Sequence, residues 1–394
     1  MSQLHLGGEV VSIPHTMAAR KKYSARTQFK HLLKRISRGF DSVAPMVLPI
    51  LPNRRVAGQV KIGTRTVSYY KHWPDDAKLI AHWDALCLAT PGTTVYQSPH
   101  WQRGATITAD AVGRLRLVTV HDGDRLVAVA PFERHFGGEW TTAAPMSSQY
   151  HDPLIAADDP QATWDALLRG IAELDPNLQS LTFELISSYA PFVDYVPTLA
   201  KAAGYAGGEV PYVITDTVIV LAETWDAYLA TLSKNQRSKL RRRLKHVEES
   251  GRAKLVVNTT EADVVKALPG VLDLMHKSGG SKGRKTNWLY RRHLAHTAPL
   301  LAKDGRMVIY QLFIDDKLAA SDVLLKQGDS YIFWNGAIAD EFRDLSPGIA
   351  MQAMMMRHAI EQGVKVVDLL QGMSVCKHEM GAIERPQHKL VFTR

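Results

Sequence analysis

Cysteines are scarce in this chain, and long apolar runs are missing. The 394 residues include two cysteines, Cys87 and Cys376, too few for the disulfide framework of a small secreted domain. No run approaches the roughly 18 apolar residues that a membrane-spanning helix needs, and the first residues lack the apolar core of a secretory signal. The sequence therefore predicts a cytoplasmic protein without a transmembrane segment.

Acidic residues are almost absent from the first 60 residues. Ten Lys and Arg residues face only Glu9 and Asp41 there, so this segment carries most of the net charge of +9. The composition predicts a basic, largely disordered tail over residues 1–60, with a short amphipathic helix at Phe29–Phe40. Such a helix lies on an anionic membrane surface, binds in the groove of a partner, or stays in solvent as part of the tail. The body, residues 61–394, is nearly neutral, so the charge does not indicate a general nucleic-acid binder.

The body has the composition of a globular protein and contains the same plan twice. Hydrophobic residues make up 45% of the chain, and the length exceeds that of a single core. In the first half, Leu115–His121 and Leu126–Arg134 flank an Asp-Gly-Asp turn. In the second half, Met307–Ile314 and Leu318–Lys326 flank an Asp-Asp turn. Both patterns predict a β-hairpin.

Each half then continues with helices and strands in alternation. The further predicted elements are helices at Trp164–Leu174, Pro191–Ala203 and Ile349–Gln362, and strands at Leu181–Ile186 and Val364–Leu370. This order favours an α/β fold with mixed, α+β-type sheets. We expect two tandem domains, at residues 61–208 and 209–394, because glycines and a proline interrupt the chain at 207–211.

Cations are concentrated in the segment Ser233–Gly251. Ser233 and Gln236 form a capping box and Gly251 is a helix stop, so the segment predicts a helix. Seven Lys and Arg residues fall within residues 234–245, among them Arg237 and Arg241. This face is either simply solvated or a surface for a phosphorylated ligand or polyanion.

A second candidate for anion binding precedes the predicted helix Ile349–Gln362. Ser346, Pro347 and Gly348 are typical of a loop that leads into a helix. The exposed N–H groups and the dipole of a helix start attract anions. Taken alone, the same three residues are also common in ordinary loops.

Polar residues lie at the end of the predicted strand Val364–Leu370 and after it. Open α/β sheets usually place ligands at strand ends, which makes Asp368 a candidate base, orienting group or simple strand-end charge. Cys376, Lys377 and His378 follow a glycine turn. Cys376 and His378 would share a face of a strand, but this spacing does not ensure proton transfer between them. His293 and His296 have no acidic residue close by in the sequence, so no metal site is expected.

Together these segments resemble the GNAT-fold acyltransferases of the CelD/BcsL type, relatives of the tandem-domain FemAB-like transferases. The resemblance extends from about residue 65 to 394, in five blocks that occur in order. The blocks are Tyr96–Trp101 (YQSPHW), Leu126–His135 (LVAVAPFERH), the basic helix from Leu232 (LSKNQRSKLRRRLKHVEESG), Ser346–Gly348, and Asp368, Gly372 and Lys377 followed by Glu384–Pro386. Cys376 stands where the family pattern has Tyr, which leaves the proton donor open.

The resemblance implies two tandem GNAT-like domains and acyl transfer from acyl-CoA or acetyl-CoA to an amine or hydroxyl, without a metal. It implies that Asp368 and Lys377 are catalytic and that the strand Tyr331–Asn335 lies beside the thioester. The residues expected to hold the cofactor are Ser346, Pro347, Gly348, Arg237 and Arg241. A small-molecule or saccharide acceptor, such as a sugar on an envelope precursor, is expected from the family alone.

Two other functions remain open. An aminoacyl-tRNA-dependent FemAB-like transferase would use the basic helix to bind tRNA, although aromatic residues for base stacking do not interleave there. A non-catalytic binding module on the same fold is compatible with Cys376 in place of Tyr.

Overall fold

The structure is a computed structural model that describes residues 55–143, 148–249, 251–278, 286 and 288–394. The predicted basic tail lies outside the described residues up to Arg54, and its helix at Phe29–Phe40 lies outside them entirely. Strand structure begins at Gly58, inside the range predicted for the tail, because Gly58–Ile62 pairs with the segment that follows it. Residues 49–394 form one compact unit.

Alternating apolar residues give sixteen strands in the described part of the chain. They are β1 (Gly58–Ile62), β2 (Arg65–Tyr70), β3 (Leu115–Asp122), β4 (Arg125–Arg134), β5 (Glu139–Thr142), β6 (Leu154–Ile155), β7 (Ser180–Ile186), β8 (Ala206–Glu209), β9 (Thr215–Val220), β10 (Ala253–Asn258), β11 (Met307–Ile314), β12 (Lys317–Gln327), β13 (Ser330–Ile338), β14 (Val366–Gln371), β15 (Ile383–Pro386) and β16 (His388–Thr393). β3–β4 and β11–β12 are the two predicted hairpins, which confirms that part of the sequence analysis.

The strands form two mixed sheets, as the predicted fold class requires. The first sheet has the order β1-β2-β3-β4-β5-β7-β16-β8, with β6 paired to β4. The second has the order β10-β11-β12-β13-β14-β9-β15. The chain passes from the first sheet to the second between Glu209 and Thr215, close to the predicted boundary at 208/209. That boundary stays a prediction. The last strand, β16, returns to the first sheet.

Eleven α-helices cover the sheets in the described residues. They are α1 (Ala77–Ala89), α2 (Pro99–Ala105), α3 (Ile107–Ala111), α4 (Pro160–Leu174), α5 (Val196–Ala202), α6 (Trp225–Thr231), α7 (Lys234–Glu248), α8 (Glu261–Lys277), α9 (Trp288–Lys303), α10 (Pro347–Glu361) and α11 (Val375–Glu379). The helix predicted at Pro191–Ala203 is divided into a 3₁₀ turn, Pro191–Asp194, and α5. Pro197 explains the division, because it lacks an N–H and starts a new helix more readily than it continues one. None of the described helices has both the length and the hydropathy to cross a membrane.

Buried apolar side chains fill both faces of the second sheet. One face packs against α7 and α10 through residues such as Leu240 and Met355. The other packs against α8 and α9, and this core also takes in Tyr96, Trp101 and Tyr150 from the first half of the chain. Aromatic residues of this size each bury about 150–250 Å², so the two halves share a substantial apolar core.

The position of β16 between β7 and β8 generates a test of stability. Phe392 is fully buried and contacts the ring of Phe183, with 6.2 Å between ring centroids. We expect Phe392→Ala to lower the free energy of unfolding by about 3–5 kcal/mol in urea titrations, because it leaves a cavity in the first core. Thr393→Ala, on the exposed neighbouring residue, is the control and should change it by less than about 0.5 kcal/mol. Equal effects of the two variants would contradict the pairing of β16 with the first sheet.

Candidate active site at the divergence of two strands

β13 and β14 run parallel and then separate. They pair only from Ser330 with Val366 to Ile332 with Asp368, so Asp368 is the last paired residue of β14 on this side. From Phe333 onward, the edge of β13 that faces β14 is not paired with it. Main-chain N–H groups on such an unpaired edge are available to hydrogen-bond a ligand.

Asp368 is buried and bonded by groups from both halves of the chain. Its residue exposure is 8%. The Tyr150 hydroxyl donates to Oδ2, and the Leu370 N–H donates to Oδ1 at 2.8 Å. Burial raises the pKa of Asp368, while the hydrogen bonds from Tyr150 and Leu370 oppose this shift. The site therefore holds a carboxyl group whose pKa lies above its ordinary value.

A second buried carboxyl group, Asp216, lies on the neighbouring strand β9. It is 1% exposed, and its Oδ1 accepts a hydrogen bond from Gln387 Nε2 at 2.9 Å. Burial, together with the charge of Asp368, raises the pKa of Asp216 to about 7. Among the described residues, neither aspartate forms an ion pair. The charge of either carboxylate therefore disfavours ionisation of the other.

Lys377 lies on α11, and its side chain reaches the end of β14, where it donates to main-chain oxygens. Its ammonium group bonds Thr217 Oγ1 at 2.9 Å and the carbonyl oxygens of Leu370, Gln371 and Gly372 at 3.1, 3.0 and 2.7 Å. Burial lowers the pKa of Lys377, and the charges of Asp368 and Asp216 oppose this. Thr217 follows Asp216 on β9, so it points to the opposite face of the sheet. Lys377 therefore holds the end of β14 in place and does not hydrogen-bond Asp368.

The segment that contains Cys376 and His378 is helical, whereas the sequence analysis treated it as a strand. It forms α11, and Ser374 is the N-cap of this helix. The Ser374 side chain accepts a hydrogen bond from the Lys377 N–H at 3.3 Å. Residues two apart on a helix point about 200° apart, so Cys376 and His378 do not face one another. Cys376 is exposed.

Aromatic side chains from both halves surround the carboxyl groups. The ring of Tyr96 lies 6.2 Å from that of Tyr150 and 5.1 Å from that of Trp101, and Trp101 in turn lies 5.7 Å from Trp334 on β13. Tyr96 is fully buried, and its hydroxyl makes no hydrogen bond with any described residue. The predicted block Tyr96–Trp101 thus lies against the second sheet.

The predicted SPG start of α10 leaves its N–H groups without a side-chain cap. Ser346 has a left-handed backbone, with φ of 51°, and its side chain makes no capping hydrogen bond. Pro347 is buried, and a side chain on Gly348 would approach Ile338 Cγ2 to 3.0 Å. The first turn of α10 is therefore open to an anion, with little room for a side chain there.

The basic helix α7 lies beside α10. Its capping box at Ser233 and Gln236 is formed as predicted. Arg357 near the end of α10 bonds Glu248 at the end of α7 at 2.8 Å, and α7 also contacts the 3₁₀ turn Asp340–Leu345 that precedes α10. The two helices therefore run in the same direction, and their starts lie at the same end of the pair.

The cations of α7 fall into two groups. Lys239 and Arg243 bond Glu379 on α11. Arg237 and Arg241, both predicted as cofactor ligands, line a surface cavity of about 530 Å³ together with Lys234 and Ser238. The residues that line this cavity all belong to α7.

One cluster has the composition of a metal site but already contains a cation. Ligand atoms of Asp84, His100 and Asp304 lie within 4.8 Å of one another. Arg306 Nη2 bonds Asp84 at 3.0 Å and Asp304 at 2.7 Å. The guanidinium group therefore neutralises the carboxylates that a metal ion would need.

Sequence reasoning missed Tyr150 and Asp216. Asp216 did carry a signal, since it is an acidic residue at an inward-facing position of the apolar strand TDTVIV. Tyr150 carried none, because it lies outside helices and strands and its partner is 218 positions away.

The buried carboxyl group of Asp216 generates a prediction for the pH dependence of stability. The native state keeps the proton of Asp216 up to about pH 7, whereas the unfolded chain loses it near the ordinary aspartate pKa of 3.8. The folded state binds more protons in this window, so its stability falls as the pH rises through it. We expect the free energy of unfolding of Asp216→Asn, taken relative to that of the wild type, to rise by about 2 kcal/mol from pH 5 to pH 8 in urea titrations.

Asp226→Asn is the control for this measurement, since the Asp226 side chain is 90% exposed. The free energies of unfolding of Asp216→Asn and the wild type could instead differ by the same amount at pH 5 and pH 8. That result would show that Asp216 is ionised throughout this range.

Comparison with known proteins agrees with this geometry. Residues 234–378 match the family model described as an acetyltransferase (GNAT) domain. No curated protein sequence matches the chain. The crystal structure of FemX is similar with a TM-score of 0.55 at 14% identity, covering 80% of this chain and 96% of FemX. The C-terminal domain (DUF2156) of a putative lysylphosphatidylglycerol synthetase from Agrobacterium fabrum has a TM-score of 0.50 at 13% identity, covering 80% and 91%. The chain thus contains a GNAT-type acetyltransferase domain within a fold similar to that of FemX.

Proposed function

We propose that this protein transfers an acyl group from an acyl-CoA to an amine or hydroxyl acceptor. The observation that carries the proposal is the divergence of β13 and β14 at Asp368. A thioester between the two strands would meet main-chain N–H groups on one side and a proton acceptor on the other. Holding both reactants in this geometry and stabilising the oxyanion are the main requirements of acyl transfer.

The start of α10 is the proposed site for the pyrophosphate of the donor. Ser346, Pro347 and Gly348 leave the first N–H groups open, and the helix dipole adds attraction for an anion. Arg237 and Arg241 supply two positive charges in the surface cavity of the neighbouring helix α7. Charge-assisted hydrogen bonds from arginine to phosphate are short and strong.

Asp368 is the proposed acceptor for the proton of the attacking amine or hydroxyl. Its raised pKa suits this role, because a carboxylate with a raised pKa takes up a proton more readily than an ordinary one. Lys377, expected from the resemblance to act directly, is proposed to support the site by holding the carbonyl groups at the end of β14. The acceptor proposed from the family resemblance is a small molecule or saccharide.

An aminoacyl-tRNA donor is the second candidate. The observation that favours it is the row of outward cations on α7, since Lys234, Arg237 and Arg241 line one open cavity. RNA phosphates would bind such a surface, and the affinity would fall steeply with salt.

The donor can be tested with CoA and two arginine variants. We expect CoA to bind the purified protein, and Arg237→Ala and Arg241→Ala each to weaken its affinity about tenfold in calorimetric titrations, because each removes one charged contact to phosphate. Lys245→Ala is the matched control. Lys245 is on the same helix, but its side chain is 69% exposed and lies near Glu249.

Thiol release from acetyl-CoA with lysine, glucosamine or glycerol as acceptor is the activity readout. No CoA binding and no thiol release with any acceptor would overturn the proposal. Salt-dependent tRNA binding in the same protein would then select the second candidate. An equal loss of CoA affinity in all three variants would show that the cavity is not the phosphate site.

A further inference from the structure

We propose that Tyr150 is a catalytic residue that relays protons between the acceptor and Asp368. This role rests on the acyl transfer proposed above. It assigns one of the reacting groups to the first half of the chain, outside residues 234–378 that match the acetyltransferase domain.

The geometry of the Tyr150–Asp368 pair fits a relay. The tyrosine hydroxyl has one proton, which it donates to Asp368 Oδ2. Its oxygen can accept a proton from a further group while its own proton moves to the carboxylate. Asp368 is also the residue at which β13 and β14 diverge, so the pair lies where the proposed thioester would react.

A purely structural role does not account for the charges around this pair. A carboxylate in the core is costly to bury unless a cation accompanies it, and here two carboxyl groups with raised pKa are buried. Lys377 bonds Thr217 and three carbonyl groups instead of either aspartate. Buried groups with raised pKa and no compensating ion pair are concentrated at functional sites.

Tyr96 provides a second and independent observation. Its hydroxyl is fully buried beside Tyr150 and donates to none of the described residues. A buried donor without a partner costs about 1–3 kcal/mol. A polar group of the substrates placed beside Tyr150 would satisfy it.

The relay conserves protons over the complete reaction. When the acceptor N–H or O–H attacks the thioester carbon, the new C–N or C–O bond forms and the acceptor's proton passes to Tyr150 Oη. At the same time the proton of Tyr150 passes to Asp368. When the intermediate collapses, the C–S bond breaks, the sulfur takes a proton from Tyr150, and Asp368 returns its proton to Tyr150. The products are the acylated acceptor and free CoA thiol, with both residues in their starting states.

The electrostatics favour a concerted relay over a free tyrosinate. Burial and the charge of Asp368 raise the pKa of Tyr150 strongly, so the ionised phenol is disfavoured. The raised pKa of Asp368 in turn favours uptake of the transferred proton. Tyr150 would thereby supply the hydroxyl that is missing at Cys376, where the resembled pattern has Tyr.

The test compares Tyr150→Phe with a matched variant in full-length protein. With acetyl-CoA and the acceptor found in the panel above, we expect Tyr150→Phe to lower kcat at least 100-fold, with an unchanged KM for acetyl-CoA and unchanged CoA affinity. Tyr205→Phe is the control and should retain wild-type kcat. Tyr205 is equally buried and bonds a single carbonyl group in the first core, that of Leu168 at 2.9 Å.

A double variant separates a relay from two independent effects. We expect Asp368→Asn to lower kcat to a similar extent, and Tyr150→Phe with Asp368→Asn to lose little more, because both remove the same proton path. Should Tyr150→Phe fail to fold, the wild-type rate in mixtures of H₂O and D₂O decides. The plot of this rate against deuterium content is curved when two protons move together, and it is a straight line when only one proton moves.

Three results would each overturn the relay while leaving acyl transfer intact. They are a wild-type kcat in Tyr150→Phe, additive losses of kcat in the double variant, and a rate that depends linearly on deuterium content. A wild type that neither binds CoA nor releases thiol would overturn the proposed function, and the relay with it.

Discussion

The hydrogen bond from Tyr150 to Asp368 links the two halves of the chain at the candidate site. It joins residues 218 positions apart and lies in the core that both halves share. A carboxyl group at this depth needs a donor, and the first half of the chain provides it. Because Tyr96 and Trp101 pack around the same point, the polar bond and the aromatic contacts fix the same approach of the two halves. The surroundings of Asp368 on the second sheet therefore depend on the position of the first.

The end of the chain reinforces this dependence. β15 lies at the edge of the second sheet, and β16 inserts between β7 and β8 of the first. Between them, Gln387 bonds both Asp216 and the carbonyl group of Gln149, next to Tyr150. The segment that joins the sheets thus also bonds a carboxyl group of the candidate site. The two halves of the chain in this arrangement are not independent units, since each completes the core of the other.

Much of the local structure could be predicted from the sequence. The two hairpins, the capping box at Ser233 and Gln236 and the open helix start at Ser346 are all present. Each depends on residues within a few positions of one another, whose spacing is visible in the chain. α11 was misread as a strand because its five residues are too few to show a period.

The sequence by itself determined the class of fold, the basic helix and Asp368 as a polar residue on an apolar strand. Only the tertiary structure decided what surrounds Asp368: Tyr150 and Asp216 beside it, Lys377 bonded to the carbonyl groups of β14, and Cys376 on the surface. The physical reason is that helix caps and strand alternation are set by neighbours in sequence, whereas a buried charge is set by whatever the fold packs against it. Those partners come from segments without a pattern of their own.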